Sequence, residues 1–140
     1  MGYTHYWRTG KIQAIPDPAL HIIKGEIDRA HQAGIIQRSL NDPGAPIVTS
    51  QEIRFNGVGD TGHETFYFKS NGEPFDFCKT ARKPYDTVVM YVLIVLKHFL
   101  KDNITVSSDG DFDNEWAEAC RYMEERYEIV AYADVKLGTC

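Results

Sequence analysis

The chain has 140 residues, 43% hydrophobic and 25% charged, with a formal net charge of −5. That length suits one domain, 1–140, with a core that needs no disulfide or metal to hold it. The acidic balance argues against a protein that coats DNA or RNA, because such affinity comes from neutralised phosphates.

The aromatic-rich stretch from Tyr3 to Thr9 reads as a first strand. Asp17 and Pro18 read as the N-cap and first residue of a helix. Leu20, Ile23, Ile27 and Ala30 then recur at helical spacing, and Gly34 is the stop signal. "LNDPGAP" is loop by composition. Ile47 to Phe55 reads as one strand, His63 to Lys69 as another, "SNGEP" as a turn, and Phe75 to Cys78 as a short strand. Pro84 is placed as the first residue of a second helix running to about Lys101. The apolar run Val88 to Leu96 implies packing on several sides, and it is far shorter than the ~20 residues of a membrane span. Ile104 to Ser107 reads as a strand. "SDGDFDNE" leads into a last helix over Asn114 to Tyr127. The C-terminal "VAYADVKLGTC" reads as an extra strand, a strand added to a neighbour, or a tail. The order predicts an α+β fold, a mainly antiparallel sheet of four to five strands with three helices against it.

Three cysteines, Cys78, Cys120 and Cys140, form no Cys-x-x-Cys, and no charged-then-apolar leader precedes them. Free thiols in a reducing cytoplasm are the expectation.

Several motifs fail on context. "GVGDTG", Gly57 to Gly62, matches G-x-G-x-x-G, but a strand-like segment follows where a dinucleotide fingerprint needs a helix. A glycine-rich hairpin loop fits better. "CKT" lacks the glycines of a phosphate-binding loop. "HET", His63 to Thr65, is a single H-x-T, and a second copy is absent. His5 is the partner it would need for acid and base on opposite sides of a phosphate. Asp109, Asp111 and Asp113 alternate like a calcium loop, yet Asn114 and Cys120 stand where Gly and Glu are required. No metal site and no cofactor is expected.

"FCKTARKPYD" holds up better. Lys79, Arg82 and Lys83 stand ahead of a helix start, where the dipole disfavours cations. An anion would reverse that, since helix starts bind phosphate readily. Arg82 offers a bidentate contact, Lys79 and Lys83 point charges, Thr80 a hydroxyl and Tyr85 a stacking face. The competing reading is a solvated loop neutralised by the protein's own acids, with "SSDGD" as one source. In that second turn Ser107 and Ser108 suit phosphate oxygens and Asp109 a ribose hydroxyl. The two turns make one pocket if the sheet brings them to one edge. One of Tyr3, Tyr6 or Trp7 would complete the base site.

"MGYTHYW", "FNG…HETF", "FCKTARKPYD" and "KHFLKDNITVSSDGD" together resemble a family of small proteins of unknown function in bacteria and their phages. The resemblance covers most of the chain and supplies no catalytic residues. By analogy it implies a counter-defence sponge that sequesters a signalling nucleotide uncleaved, usually as a homo-oligomer. The leading expectation is therefore a cytoplasmic binding protein for an anionic small molecule, a nucleotide, with no membrane and no long nucleic acid as partner. The alternatives are a nucleotide phosphoesterase or glycosidic-bond hydrolase using His63 with His5 or Asp109, and an inhibitor of a host protein.

Overall fold

The computed structural model describes residues 3–72, 74–111 and 114–129. In chain order the elements are β1 (Thr4–Thr9), α1 (Asp17–Gln32), β2 (Ile36–Gln37), β3 (Ile47–Val48), β4 (Glu52–Gly57), β5 (Phe66–Lys69), β6 (Phe75–Lys79), α2 (Asp86–Leu100), β7 (Ile104–Ser108) and α3 (Ala117–Tyr127). The fold is α+β. Its antiparallel strands are divided between two sheets, where the sequence suggested one.

The first sheet has the order β6-β1-β7. His5 lies opposite Cys78 on one side and opposite Ser108 on the other. In the second sheet β4 is the common partner of β2, β3 and β5, all antiparallel to it. α2 joins the layers. Most of its residues are buried, and it packs against α1, α3 and β7. A helix apolar nearly all round needs neighbours on several sides, and this one has them. Among the described residues, no helix is long and apolar enough to cross a membrane.

Some boundaries differ from the expectation. The segment from Ile47 to Phe55 is two strands of a hairpin, β3 and β4, because the Thr49 hydroxyl accepts from the backbone N–H of Gln51 and Glu52 and closes a turn there. Such a side-chain turn competes with an extended ladder. Asp17 is not the cap of α1; Pro16 holds that position and no side chain caps the helix. α2 is capped by Tyr85, which leaves Pro84 outside it, and α3 begins at Ala117. The C-terminal "VAYADVKLGTC", with Cys140, and Asp113 of the aspartate series lie outside the described residues.

α3 is tied to α1 by one buried carboxylate. Glu26 is 5% exposed and accepts from the Tyr122 hydroxyl at 3.0 Å and from the Tyr127 hydroxyl. Arg29 and Arg126 complete its surroundings, each at 3.3 Å.

Candidate functional site

The register of the first sheet decides what the candidate residues can do. β1 runs between β6 and β7, so the turn after β6 and the turn after β7 flank the same end of β1. The sequence required that both turns meet at one edge, and they do. Between them sits a buried chain of polar side chains. His5 is fully buried; its Nε2 meets Asp86 Oδ1 at 2.6 Å and its Nδ1 meets Ser108 Oγ at 2.7 Å. Thr80 donates its hydroxyl to the same Asp86 oxygen at 2.6 Å, and the Gly110 backbone N–H donates to Ser108 Oγ at 2.8 Å.

This network reassigns several predicted ligand contacts. Thr80 is fully buried and spends its hydroxyl on Asp86, so it cannot meet an external phosphate. Tyr85 is also buried and donates to the Glu64 backbone carbonyl, so it offers no face for stacking. Burial and neighbouring Cys78 push its phenol well above the usual tyrosine range. Ser107 is 7% exposed, too little to present its hydroxyl to a ligand. Ser108 is half-buried and committed to His5. Asp109 accepts from the Thr4 backbone N–H at 3.1 Å and the Tyr6 hydroxyl at 3.0 Å, which fixes the turn onto β1.

Of the three cations, Arg82 has a local explanation as well. The negative charge that the start of α2 favours is Asp86 itself, placed in the first turn and directed inward at His5. Arg82 lies over the Tyr3 ring at 4.0 Å and pairs with Glu115 at 3.3 Å. Glu115 also accepts the Asp111 backbone N–H, and that bond together with Arg82 holds its carboxyl below the ordinary range. Lys83 closes the turn by donating its N–H to the Thr80 carbonyl. The competing reading of this loop therefore gains ground: its strongest cation is answered by an acid of the protein's own second turn. Ala81 and Arg82 both have positive φ, 53° and 59°, which makes the turn tight enough to pass from β6 into α2.

Lys79 belongs to a different surface. Side chains alternate across a strand, so Phe75, Phe77 and Lys79 share the face of β6 turned away from the core, beside Tyr6 and Arg8 of β1. Phe75 is 42% exposed and Phe77 46%. With Tyr6 they form a triangle, ring centres 6.3 Å from Tyr6 to Phe75, 6.5 Å from Tyr6 to Phe77 and 6.3 Å between the phenylalanines. The Arg8 guanidinium sits 4.9 Å above the Phe75 ring. The opposite face of the same strands, with Trp7, Cys78 and Val106, is core. Sequence reasoning missed this platform, although strict alternation in "FDFCK" and "THYWR" carried the signal.

The remaining motifs are structural. Gly57 to Gly62 forms the connection between β4 and β5, a 3₁₀ turn at Gly59–Thr61 with no helix after it. A side chain at Gly57 would strike the Thr61 backbone carbonyl. Buried Asn56, also missed, organises this loop: its Oδ1 accepts from the Gly57 and His63 N–H groups, and its amide donates to the His63 carbonyl and the Thr65 hydroxyl. His63 is exposed and His5 fully buried, so they do not form an acid–base pair. Cys78 and Cys120 are buried free thiols, pushed up by burial to about 12 and about 11, far from a reactive thiolate. Among the described residues, no three His, Cys, Asp or Glu side chains gather as a metal site.

Comparison of the chain with known protein families, with curated proteins and with solved structures found no match.

Proposed function

We propose that the chain binds a nucleotide, or a similar phosphorylated molecule with a flat aromatic base, on the open face of its first sheet. The observation that carries this reading is the pair Phe75 and Phe77 on β6, 42% and 46% exposed, clustered with Tyr6 of the adjacent β1. A cluster of exposed aromatics on one sheet face supports this reading, since exposed apolar patches are what ligand- and partner-binding surfaces use. An antiparallel sheet presenting aromatic rings suits base stacking, and the flanking cations suit phosphate. Arg8 and Lys79 provide those cations at the two ends of the aromatic row. The net charge of −5 fits a small anion held locally better than a long polyanion.

Isothermal calorimetry with a panel of linear and cyclic nucleotides tests this. Stacking on one ring contributes about 1–3 kcal/mol, so Phe77→Ala weakens binding about 5- to 150-fold. Arg8→Ala weakens it too, more at low salt than at high salt. Nucleotide recovered intact after heat release marks sequestration rather than turnover. Absence of binding to the wild type, or equal binding by Phe77→Ala, overturns the proposal.

A further inference from the structure

The polarity of the buried chain at His5 follows from donor and acceptor capacity. An ionised carboxylate only accepts, so with Asp86 ionised His5 Nε2 carries a proton and donates. In the neutral ring Nδ1 is then an acceptor, and the Ser108 hydroxyl must donate to it. Thr80 adds a second donor to the Asp86 oxygen and holds the carboxylate against the ring. The result is a serine hydroxyl aimed at a histidine base whose far nitrogen is fixed by an aspartate, which is the arrangement that activates a nucleophile.

A second, independent observation lies beside it. Tyr3 and Trp116 are 2% and 0% exposed, yet the Tyr3 hydroxyl and Trp116 Nε1 have no hydrogen-bond partner among the described residues. Buried donors are nearly always satisfied, and an exception calls for an explanation. The Tyr3 hydroxyl lies next to Ser108 and Gly110, and a Cβ at Gly110 would strike it. Trp116 sits edge-on to the His5 ring at 5.0 Å. The Tyr3 hydroxyl thus approaches the Ser108 hydroxyl and Trp116 borders the His5 ring, and neither donor has an acceptor in full hydrogen-bond geometry among the described residues.

We propose that Ser108 is a nucleophile for acyl transfer, with His5 as its general base and acid, Asp86 and Thr80 as positioning residues, and the Tyr3 hydroxyl as donor to the developing oxyanion. This assignment is independent of the nucleotide reading and uses the end of the sheet where half-buried Ser108 closes β7, away from the aromatic platform. Ser108 Oγ adds to the carbonyl carbon of an ester, and its proton passes to His5 Nδ1. The carbonyl electron pair moves onto oxygen. As it returns, the bond to the alcohol oxygen breaks, and that oxygen leaves with the proton held by His5. Water then attacks the acyl-serine, giving its proton to His5 and onward to Ser108, and the acid is released. The donors that await the substrate oxygen are neutral; of the nearby charges Asp109 and Glu115 are acids, and Arg82, over the Tyr3 ring, is paired with Glu115. That environment fits the single oxyanion of an uncharged ester rather than a transferring phosphoryl group, whose spread charge needs cations.

A fluorophosphonate probe reads the nucleophile directly. The P–F bond breaks, the Ser108 Oγ–P bond forms, and fluoride departs with the serine proton. Intact-mass and peptide mapping should find one adduct per chain, on Ser108, and none on Ser108→Ala of unchanged circular dichroism. Asp86→Asn reverses the donor at Nε2 and should slow both labelling and p-nitrophenyl acetate hydrolysis by at least about a hundred-fold. If that variant fails to fold, Ser108→Ala alone decides the matter. No adduct on folded wild type, or an adduct that survives in Ser108→Ala, overturns the proposal.

Discussion

Ala81 carries a cost that its side chain does nothing to offset. It sits at φ 53°, where an L-residue is strained by about 1–2 kcal/mol, and glycine is not. Its neighbour Arg82, at 59°, at least gains the Tyr3 ring and Glu115. Ala81→Gly removes the strain and gives back about 0.4–1 kcal/mol in unfolded-chain entropy. The net expectation is a gain of about 0.5–1 kcal/mol in a urea melt, opposite in sign to most substitutions by glycine. A loss of stability would show that the Ala81 methyl is held by contacts that matter more than φ. The same turn shows what was legible residue by residue. Three cations before a helix did flag an unmet negative charge. The charge that meets it, Asp86, was visible three residues after Lys83, but its inward direction was not. Direction depends on His5, which lies 81 positions away in sequence. Thr80 and Tyr85 were misjudged for the same reason: composition marks a hydroxyl or a ring as available, and only packing shows that it is used.

Among the elements, α3 is the one most dependent on a single group. Glu26→Ala leaves the hydroxyls of Tyr122 and Tyr127 without their acceptor and removes the carboxylate between Arg29 and Arg126. A hydrogen bond to a charged group contributes about 1.5–3 kcal/mol, so the loss should be about 2–3 kcal/mol even though alanine favours the helix. Amide exchange should rise across Ala117–Tyr127 well before it rises in β1, because the tie is local. Uniform acceleration across the chain would refute that locality. Legibility at this scale followed the strength of the pattern. α2 was readable because its apolar run and flanking proline agree. The break between β3 and β4 was not, because the turn at Thr49 has neither glycine nor proline and uses a hydroxyl instead. Glu26 was not singled out in the sequence, since its partners come from α3.

For the whole molecule, the buried acids set the alkaline limit. Burial raises Cys78 to about 12, Cys120 to about 11, and Tyr3 and Tyr91 each to about 12. A raised folded-state value means that the unfolded chain loses these protons first. The corresponding stability is complete below the unfolded values, about 9 for the thiols and 10 for the phenols. It is lost as pH climbs through them toward 12. The urea midpoint should therefore hold steady near neutrality and fall from about pH 9 upward, less steeply in Cys78→Ala once corrected for its lower starting stability. A midpoint unchanged up to pH 11 would contradict the burial of these groups. The α+β class was legible from element order alone. The division into two sheets was not, because it follows from which strands pair, and the pairs of β1 are far from it along the chain.

That last fact has a temporal consequence. β1 is the middle strand of its sheet, yet it leaves the ribosome before either neighbour. Thr4 meets Lys79, and His5 meets Ser108 across 103 positions. The first ladder must wait until β6 has emerged and the second until β7 has, and closing such long loops slows folding. Until then "YTHYW" is an uncovered aromatic segment, with its histidine and tryptophan both destined for the interior. The moment of greatest exposure to aggregation falls midway along the chain, after the second sheet has all its strands and before the first has any partner.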